Sequence, residues 1–108
     1  MNPTDSTGQA VELIRLNVSP EQQSNFLTGR RKVDAFTSTL PGFISTELLQ
    51  LTDTEWLMLI RWDNLASARA AQVQTANATV ISDWLAHTST FISFDTASVQ
   101  YSHHPSSL

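Results

Sequence analysis

A proline–glycine pair in the middle of the chain separates two kinds of sequence pattern. Before Pro41 and Gly42, apolar residues recur at helical spacing; after them come two strand-like runs, 43–51 and 55–62, separated by the turn residues 52–54. Proline cannot continue a helix, and glycine readily adopts the left-handed backbone that ends one. We therefore predict a helix that ends at this pair and two antiparallel strands that follow it.

Further strand patterns lie near both ends of the chain. Residues 11–18 alternate between two faces, and residues 91–101 form the last apolar run. Both faces of the run 55–62 are apolar, which predicts a buried central strand. With a helix in each gap, the order is strand, helix, strand, strand, helix, strand, as in the split βαβ unit of ferredoxin-like folds. We predict an α+β protomer with a four-stranded antiparallel sheet and helices on one face.

The length of 108 residues and the hydrophobic content of 41% predict one domain. We assign residues 1–9 to a flexible lead-in, 10–101 to the folded domain and 102–108 to a polar tail. A small sheet covered on one face only leaves its other face bare. We therefore expect a second copy of the chain to cover that face in a homodimer.

Start signals mark both helices. Ser19 and Pro20 predict the start of the first helix, because serine caps helices and proline suits the first helical position. Asp63 or Asn64 is expected to cap a second, alanine-rich helix. Residues 75–79 are poor helix formers, and we expect a kink or a break into two helices there.

The first helix carries an apolar stripe at the spacing of an amphipathic helix. Its members are Phe26, Val33, Phe36 and Leu40. The basic run 30–32 falls mostly outside this stripe. We interpret that run as a solvent-exposed helix face.

Composition excludes several classes of function. The formal net charge is −4 and the basic residues are scattered, so nucleic acid is not expected as a partner. The chain has no cysteine, which excludes disulfides, thiolate metal sites, Fe–S clusters and a cysteine nucleophile. The polar N-terminus predicts no signal peptide, and no segment is apolar enough to span a membrane. A cytoplasmic location is therefore expected.

Three features together resemble the antibiotic biosynthesis monooxygenase family. They are the segment 41–44 (Pro-Gly-Phe-Ile), a strand that ends at 61–63 (Arg-Trp-Asp) and the alanine-rich helix after it. The resemblance covers about residues 10–101 and implies dimeric α/β barrels in which two protomers press their open sheet faces together. It also implies a pocket between helices and sheet, where aromatic phenols or quinols react with O₂ without metal or flavin.

Residue by residue, the resemblance carries over only in part. In the polyketide-oxidising enzymes a tryptophan closes the third strand, and Trp62 matches it. The family's Asn, Tyr and Arg positions fall on other residues here, namely Met58, Ala68 and a position near Ser82. Where many relatives have a histidine, this chain has Ala71 and Gln72. Two other classes therefore stay open, a non-catalytic ligand-binding or stress-related protein and an isomerase or lyase on the same scaffold.

Two tryptophans and a histidine are the main candidates for a site that handles a phenol. Trp62 and Trp84 are expected to sandwich or orient aromatic rings. His87 is predicted to accept the phenolic proton, because its ordinary pKa of about 6.5 suits a general base. The structural alternatives are core tryptophans and a surface histidine in the last helical turn.

Three further residues are predicted to bind substrate. Arg15 or Asn17 on the first strand is expected to hold an oxygen substituent, and Tyr101 is expected to converge with the helical candidates on the far side of the pocket. An ion pair, for example with Glu47, is the structural alternative for Arg15. No metal site is predicted, since the tail pair 103–104 (His-His) lacks a third ligand.

Overall fold

The secondary-structure elements follow the predicted order in the computed structural model, which describes residues 7–87, 90–103 and 105. The elements are β1 (Ala10–Asn17), a 3₁₀ turn (Pro20–Gln22), α1 (Gln23–Thr37), β2 (Phe43–Gln50), β3 (Glu55–Trp62), α2 (Leu65–Ala76), α3 (Thr79–Leu85) and β4 (Thr90–Ser98). The last strand ends before Tyr101, and His104 lies outside the described residues.

All strand pairs in the sheet are antiparallel, and the strand order is β2-β3-β1-β4. The α+β ferredoxin-like fold is therefore confirmed. β3 is a central strand, as its apolar faces predicted. Among the described residues, none of the helices is long and apolar enough to cross a lipid bilayer.

The first helix ends earlier than predicted, since α1 stops at Thr37 and not at Pro41 and Gly42. Gly42 instead lies at the end of the turn that leads into β2. Its φ of 85° lies in the left-handed region, which side chains with a Cβ rarely adopt. A Cβ at this position would also lie 2.5 Å from the Ser67 side chain. The turn therefore requires glycine for both its backbone conformation and its contact with α2.

The second helical segment breaks where the sequence predicted. The Asn64 side chain accepts a hydrogen bond of 2.8 Å from the backbone N–H of Ser67 and so caps α2. The helix ends at Ala76, and α3 begins at Thr79. After this break, α3 packs against α1.

Alternation along the strands divides the sheet into two unlike faces. The helices pack on the face that carries the buried side chains of β1 and β3, which are Ala10, Glu12, Ile14, Leu16, Trp56, Met58, Ile60 and Trp62. On the opposite face, Leu13 and Leu59 form a cross-strand pair and are only half-buried, while Leu49 on β2 is exposed. We call these the covered face and the open face.

An aromatic cluster joins the helices to the covered face. Phe26 of α1 stacks on Trp84 of α3 with 4.8 Å between ring centroids, and it also contacts Trp56 of β3. Gly29 allows this approach, because a Cβ there would lie 2.9 Å from Trp84 Cδ1. Close packing of α1 against α3 thus fixes the position of the Trp84 ring.

Candidate active site

A cavity lies between the helices and the covered face of the sheet. Its volume is about 100 Å³, and it opens to solvent. Most of its lining is apolar, with a few polar side chains, and this is the usual character of a small-molecule site. Its polar or charged lining residues are Glu12, Arg30, Thr37, Gln72 and Thr75.

Glu12 brings a buried carboxylate into this cavity. Only 3% of the residue is exposed. Trp62 Nε1 donates a hydrogen bond of 2.6 Å to Oε1, and Gln72 Nε2 donates one of 2.9 Å to Oε2. Both donors are neutral, and no basic side chain of the described residues lies within 4.0 Å. Each carboxylate oxygen retains a lone pair that could accept a further hydrogen bond from a ligand.

Local sequence explains how these three side chains meet. Glu12 shares its strand face with Ile14, so the alternation of β1 directs it towards the helices. Ala68 and Ala71 are buried in the contact of α2 with the sheet, and their small side chains allow the helix to approach closely. Gln72 follows directly and also donates to Thr96 of β4, at 3.3 Å.

Arg30 brings a buried cation to the same cavity, contrary to the solvent-exposed position expected for the basic run 30–32. Its Nε lies 3.0 Å from Asp34 Oδ1, as an ion pair rather than an aligned hydrogen bond. Its two terminal nitrogens donate to Thr46 Oγ1 and to Met58 Sδ. Burial lowers the pKa of Arg30 from its ordinary value, and the Asp34 carboxylate opposes this shift.

The helical position of Arg30 explains its burial. It lies four residues after Phe26 and three before Val33, which places it within the apolar stripe of α1. Its guanidinium carbon lies 5.1 Å from the centroid of the Trp84 ring. Arg31 and Lys32, which fall outside the stripe, are exposed as expected.

Aromatic rings form much of the cavity wall. Trp62 and Trp84 are buried, and both indole N–H groups are engaged, Trp62 with Glu12 and Trp84 with the Phe26 carbonyl at 2.8 Å. At the mouth, the exposed rings of Phe91 and Phe94 stack with centroids 6.4 Å apart. The tryptophans therefore offer ring faces and edges to a ligand rather than hydrogen-bond donors.

Two of the six residues predicted from the sequence line this cavity, namely Trp62 and Trp84. His87 lies at a separate surface cleft between α1 and α3, which Lys32 and Asp83 also line. Its Nδ1 is 3.2 Å from Gln22 Oε1. The structure thus places the expected proton acceptor outside the cavity.

The other three predicted residues also lie away from the cavity. Arg15 is on the open face, where it pairs with Glu55 at 3.4 Å, not with Glu47. Asn17 alternates to the same face of β1. Tyr101 follows β4 and is 81% exposed. In the protomer, none of the three reaches the buried carboxylate.

Sequence reasoning missed all five polar residues of the cavity, and those with charged or amide side chains are Glu12, Arg30 and Gln72. Periodicity carried a signal for two of them, because Glu12 shares a face with apolar strand residues and Arg30 lies in a helical stripe. Gln72 stands ten residues after Trp62, where the family resemblance places a histidine in many relatives. Among the described residues, no cluster of His, Asp or Glu could hold a metal ion.

Comparisons with solved structures support the same architecture. SnoaB, a cofactor-independent oxygenase from Streptomyces nogalater, matches with a TM-score of 0.66 at 16% identity, covering 91% of this chain and 97% of that one. A putative antibiotic biosynthesis monooxygenase from Nitrosomonas europaea matches with a TM-score of 0.69 at 14% identity, covering 88% and 93%. A protein of unknown function from the same organism matches with a TM-score of 0.72 at 11% identity, covering 94% and 99%.

At these identities, the structural likeness shows the fold alone. No curated protein matches the sequence. The sequence model described as antibiotic biosynthesis monooxygenase matches residues 10–77, which is more than half of the chain and includes Glu12, Arg30, Trp62 and Gln72. The chain therefore belongs to the antibiotic biosynthesis monooxygenase family.

Proposed function

We propose that this protein is a cofactor-independent monooxygenase that acts on an aromatic phenol or quinol, with Glu12 as the proton acceptor. The observation that carries this proposal is the buried Glu12 carboxylate in an apolar cavity of a family member. Membership of the family supports a monooxygenase-type scaffold, and SnoaB is an oxygenase described as cofactor-independent. The identity of the substrate and the roles of the individual residues are part of this proposal.

Glu12 has the position that a general base requires. Hydrogen bonds from Trp62 and Gln72 fix its carboxylate, which would otherwise be costly to bury. The remaining lone pairs can accept the O–H of a phenol that enters the cavity. Positioned proton transfer of this kind contributes about 10²–10⁴-fold to a rate.

Removal of that proton makes the substrate reactive towards O₂. The electron-rich phenolate passes one electron to O₂, and recombination of the two radicals forms a C–O bond at a ring carbon that lies ortho or para to the phenolic oxygen and carries a hydrogen. Loss of water from the resulting peroxide gives a quinone. Overall, one phenol and one O₂ yield one quinone and one water. The apolar lining assists because it keeps bulk water away from the charged intermediates.

The aromatic wall would hold the ring system for this step. Trp84 borders the cavity on the helix side, and Phe91 and Phe94 border its mouth. Aromatic rings pack favourably against one another in stacked or edge-to-face arrangements. Contact with these rings therefore favours a flat aromatic substrate over an aliphatic one.

We further propose that the protein acts as a homodimer whose protomers join through their open faces. Leu13, Leu49 and Leu59 leave apolar area on that face of the described protomer. Burial of apolar area favours association. The resemblance stated for the family implies the same arrangement.

Measurement of O₂ consumption with 1-naphthol or an anthrone, without added metal or flavin, tests the reaction. We expect the wild-type protein to consume one O₂ per substrate and Glu12→Gln to be about 10²-fold slower or more. Glu21→Gln makes the same chemical change on an exposed turn and should keep the wild-type rate. His87→Ala should also keep the rate, because His87 lies outside the cavity.

The outcomes separate the candidate functions. Equal rates for Glu12→Gln and wild type would remove Glu12 as the base, and a loss confined to His87→Ala would restore the histidine to that role. Absence of O₂ consumption together with proton exchange on dicarbonyl compounds would indicate an isomerase or lyase. Ligand binding without either reaction would indicate a non-catalytic protein.

A further inference from the structure

The proposed reaction uses Glu12 and leaves the second charged group of the cavity without a role. Arg30 is 7% exposed and lines the cavity, and its guanidinium contacts Met58 and Trp84, which line it too. Burial of a cation is costly unless strong partners compensate for the lost hydration. Its presence there therefore calls for an explanation.

The partners of Arg30 within the protein are incomplete. A guanidinium has five N–H donors, whereas Arg30 makes one ion pair and two hydrogen bonds among the described residues. One of these bonds goes to the Met58 thioether, which is a weak acceptor. Arg30 can therefore still donate strong, charge-assisted hydrogen bonds to an anionic oxygen inside the cavity.

The register of the sheet places Thr46, one of the groups that Arg30 contacts, at a defined distance from Glu12. Thr46, Ile60, Glu12 and Thr96 form one row across β2, β3, β1 and β4. Arg30 bonds to Thr46 at the β2 end of this row, and Glu12 lies two strands further on. Because neighbouring strands are about 4.8 Å apart, these two positions are separated by about 10 Å.

A purely structural role accounts for Arg30 less well. Its contact with the Trp84 ring could be made by an uncharged side chain without the cost of desolvation. Its ion-pair partner Asp34 has a side chain that is 39% exposed, so that pair is partly screened by water. The burial of the guanidinium among residues that line the cavity is better explained by a ligand.

We propose that the cavity selects aromatic phenols that carry a carboxylate at the end opposite the hydroxyl group. The carboxylate binds Arg30, and the hydroxyl group faces Glu12. This inference rests on the proposed function for the role of Glu12 and adds the chemical class of the substrate. A substrate of this class has one ring between its polar ends, in keeping with the span across the row.

Calorimetric titration of the wild-type protein under anaerobic conditions tests the carboxylate preference. The two probes are 4-hydroxybenzoate and 4-hydroxybenzamide, which have nearly the same shape and differ in charge. We expect the carboxylate to bind about tenfold tighter or more, because a hydrogen bond between two charged groups is stronger than one to a neutral amide. Equal affinities, or a preference for the amide, would overturn the proposal.

Two variants test whether Arg30 causes the preference for the carboxylate probe. Arg30→Gln should bind both probes with similar affinity, whereas Arg31→Gln, its exposed neighbour, should keep the wild-type preference. A preference that persists in a folded Arg30→Gln protein would overturn the assignment. Should this variant fail to fold, as judged by circular dichroism, the wild-type comparison of the two probes still decides the proposal.

Failure of this inference can be distinguished from failure of the proposed function. The titrations involve no O₂ and no reaction, and Glu12→Gln is expected to keep the carboxylate preference while losing O₂ consumption. A wild-type protein that oxidises 1-naphthol but does not prefer the carboxylate would retain the function and lose the substrate class. A protein that prefers the carboxylate but consumes no O₂ would retain the substrate class and lose the function.

Discussion

The charged residues on the two faces of β1 lie in opposite environments. On the covered face, Glu12 is buried and held by two neutral donors. On the open face, three residues further along, Arg15 is exposed and pairs with Glu55. The same strand thus carries one charge that the fold constrains and one that remains in contact with water.

This difference shows why the charge of a side chain is a poor guide to its role. Water screens an exposed pair, so its contribution to stability and binding is small. A buried carboxylate must be fixed by hydrogen bonds, and any ligand that reaches it interacts in a medium of low dielectric constant. The covered face is therefore where chemistry is expected, and the open face is where association is expected.

Truncation of one leucine on each face of β1 should give the largest difference in the free energy of unfolding. Leu16 is fully buried and Leu13 is half-buried. Leu16→Ala is expected to lower the free energy of unfolding by about 3 kcal/mol, because it leaves a cavity in the core. Leu13→Ala should cost about 1 kcal/mol or less in dilute protein, measured by urea denaturation.

Measurement at several protein concentrations then distinguishes the two leucine variants more sharply. If the open face is buried in a homodimer, the cost of Leu13→Ala should rise with protein concentration, whereas that of Leu16→Ala should not. Equal costs for the two variants at all concentrations would contradict the distinction between the faces.

A charge at the centre of the open face should weaken the proposed dimer. Leu59→Asp is expected to raise the dissociation constant at least tenfold, because it places a carboxylate where apolar contacts are proposed. Size-exclusion chromatography with light scattering gives the mass directly. Val73→Asp, on an exposed position of α2, is the matched control and should leave the mass unchanged. A wild-type protein that is monomeric at micromolar concentration would remove the dimer from the proposal.

The smallest effect is expected for the exposed ion pair. In protein dilute enough to be monomeric, Arg15→Gln should change the free energy of unfolding by about 0.5 kcal/mol or less, because the Arg15 and Glu55 side chains are 45% and 32% exposed in the protomer. The KM for 1-naphthol should also stay unchanged. A large rise in KM would instead support the sequence-based expectation that Arg15 holds a substrate oxygen.

Local signals were sufficient to predict the order of the elements. Asn64 caps α2, and the poor helix formers at 75–79 coincide with the break before α3. Gly42 has the left-handed backbone expected of a turn glycine, although α1 already ends at Thr37. Each of these depends on residues close in sequence, whose conformational preferences are intrinsic. Such features can be inferred without knowledge of the tertiary structure.

The site was harder to predict because its members are distant in sequence. Trp62 and Gln72 meet Glu12 across 50 and 60 residues, respectively. Periodicity indicated which face Glu12 occupies but not which donors it would find. For His87, a suitable ordinary pKa favoured a catalytic role, yet the end of α3 places the ring at a different cleft.

By itself, the sequence determined the strand and helix order, the family and the two faces of the sheet, because turn residues and periodicity act over a few neighbouring positions. Only the tertiary structure decided which polar groups share the cavity. Sheet register aligns Thr46 with Glu12, and the packing of α1 directs Arg30 inward. Desolvation by this packing, rather than residue type, distinguishes the buried Glu12 and Arg30 from the charged side chains that remain in water.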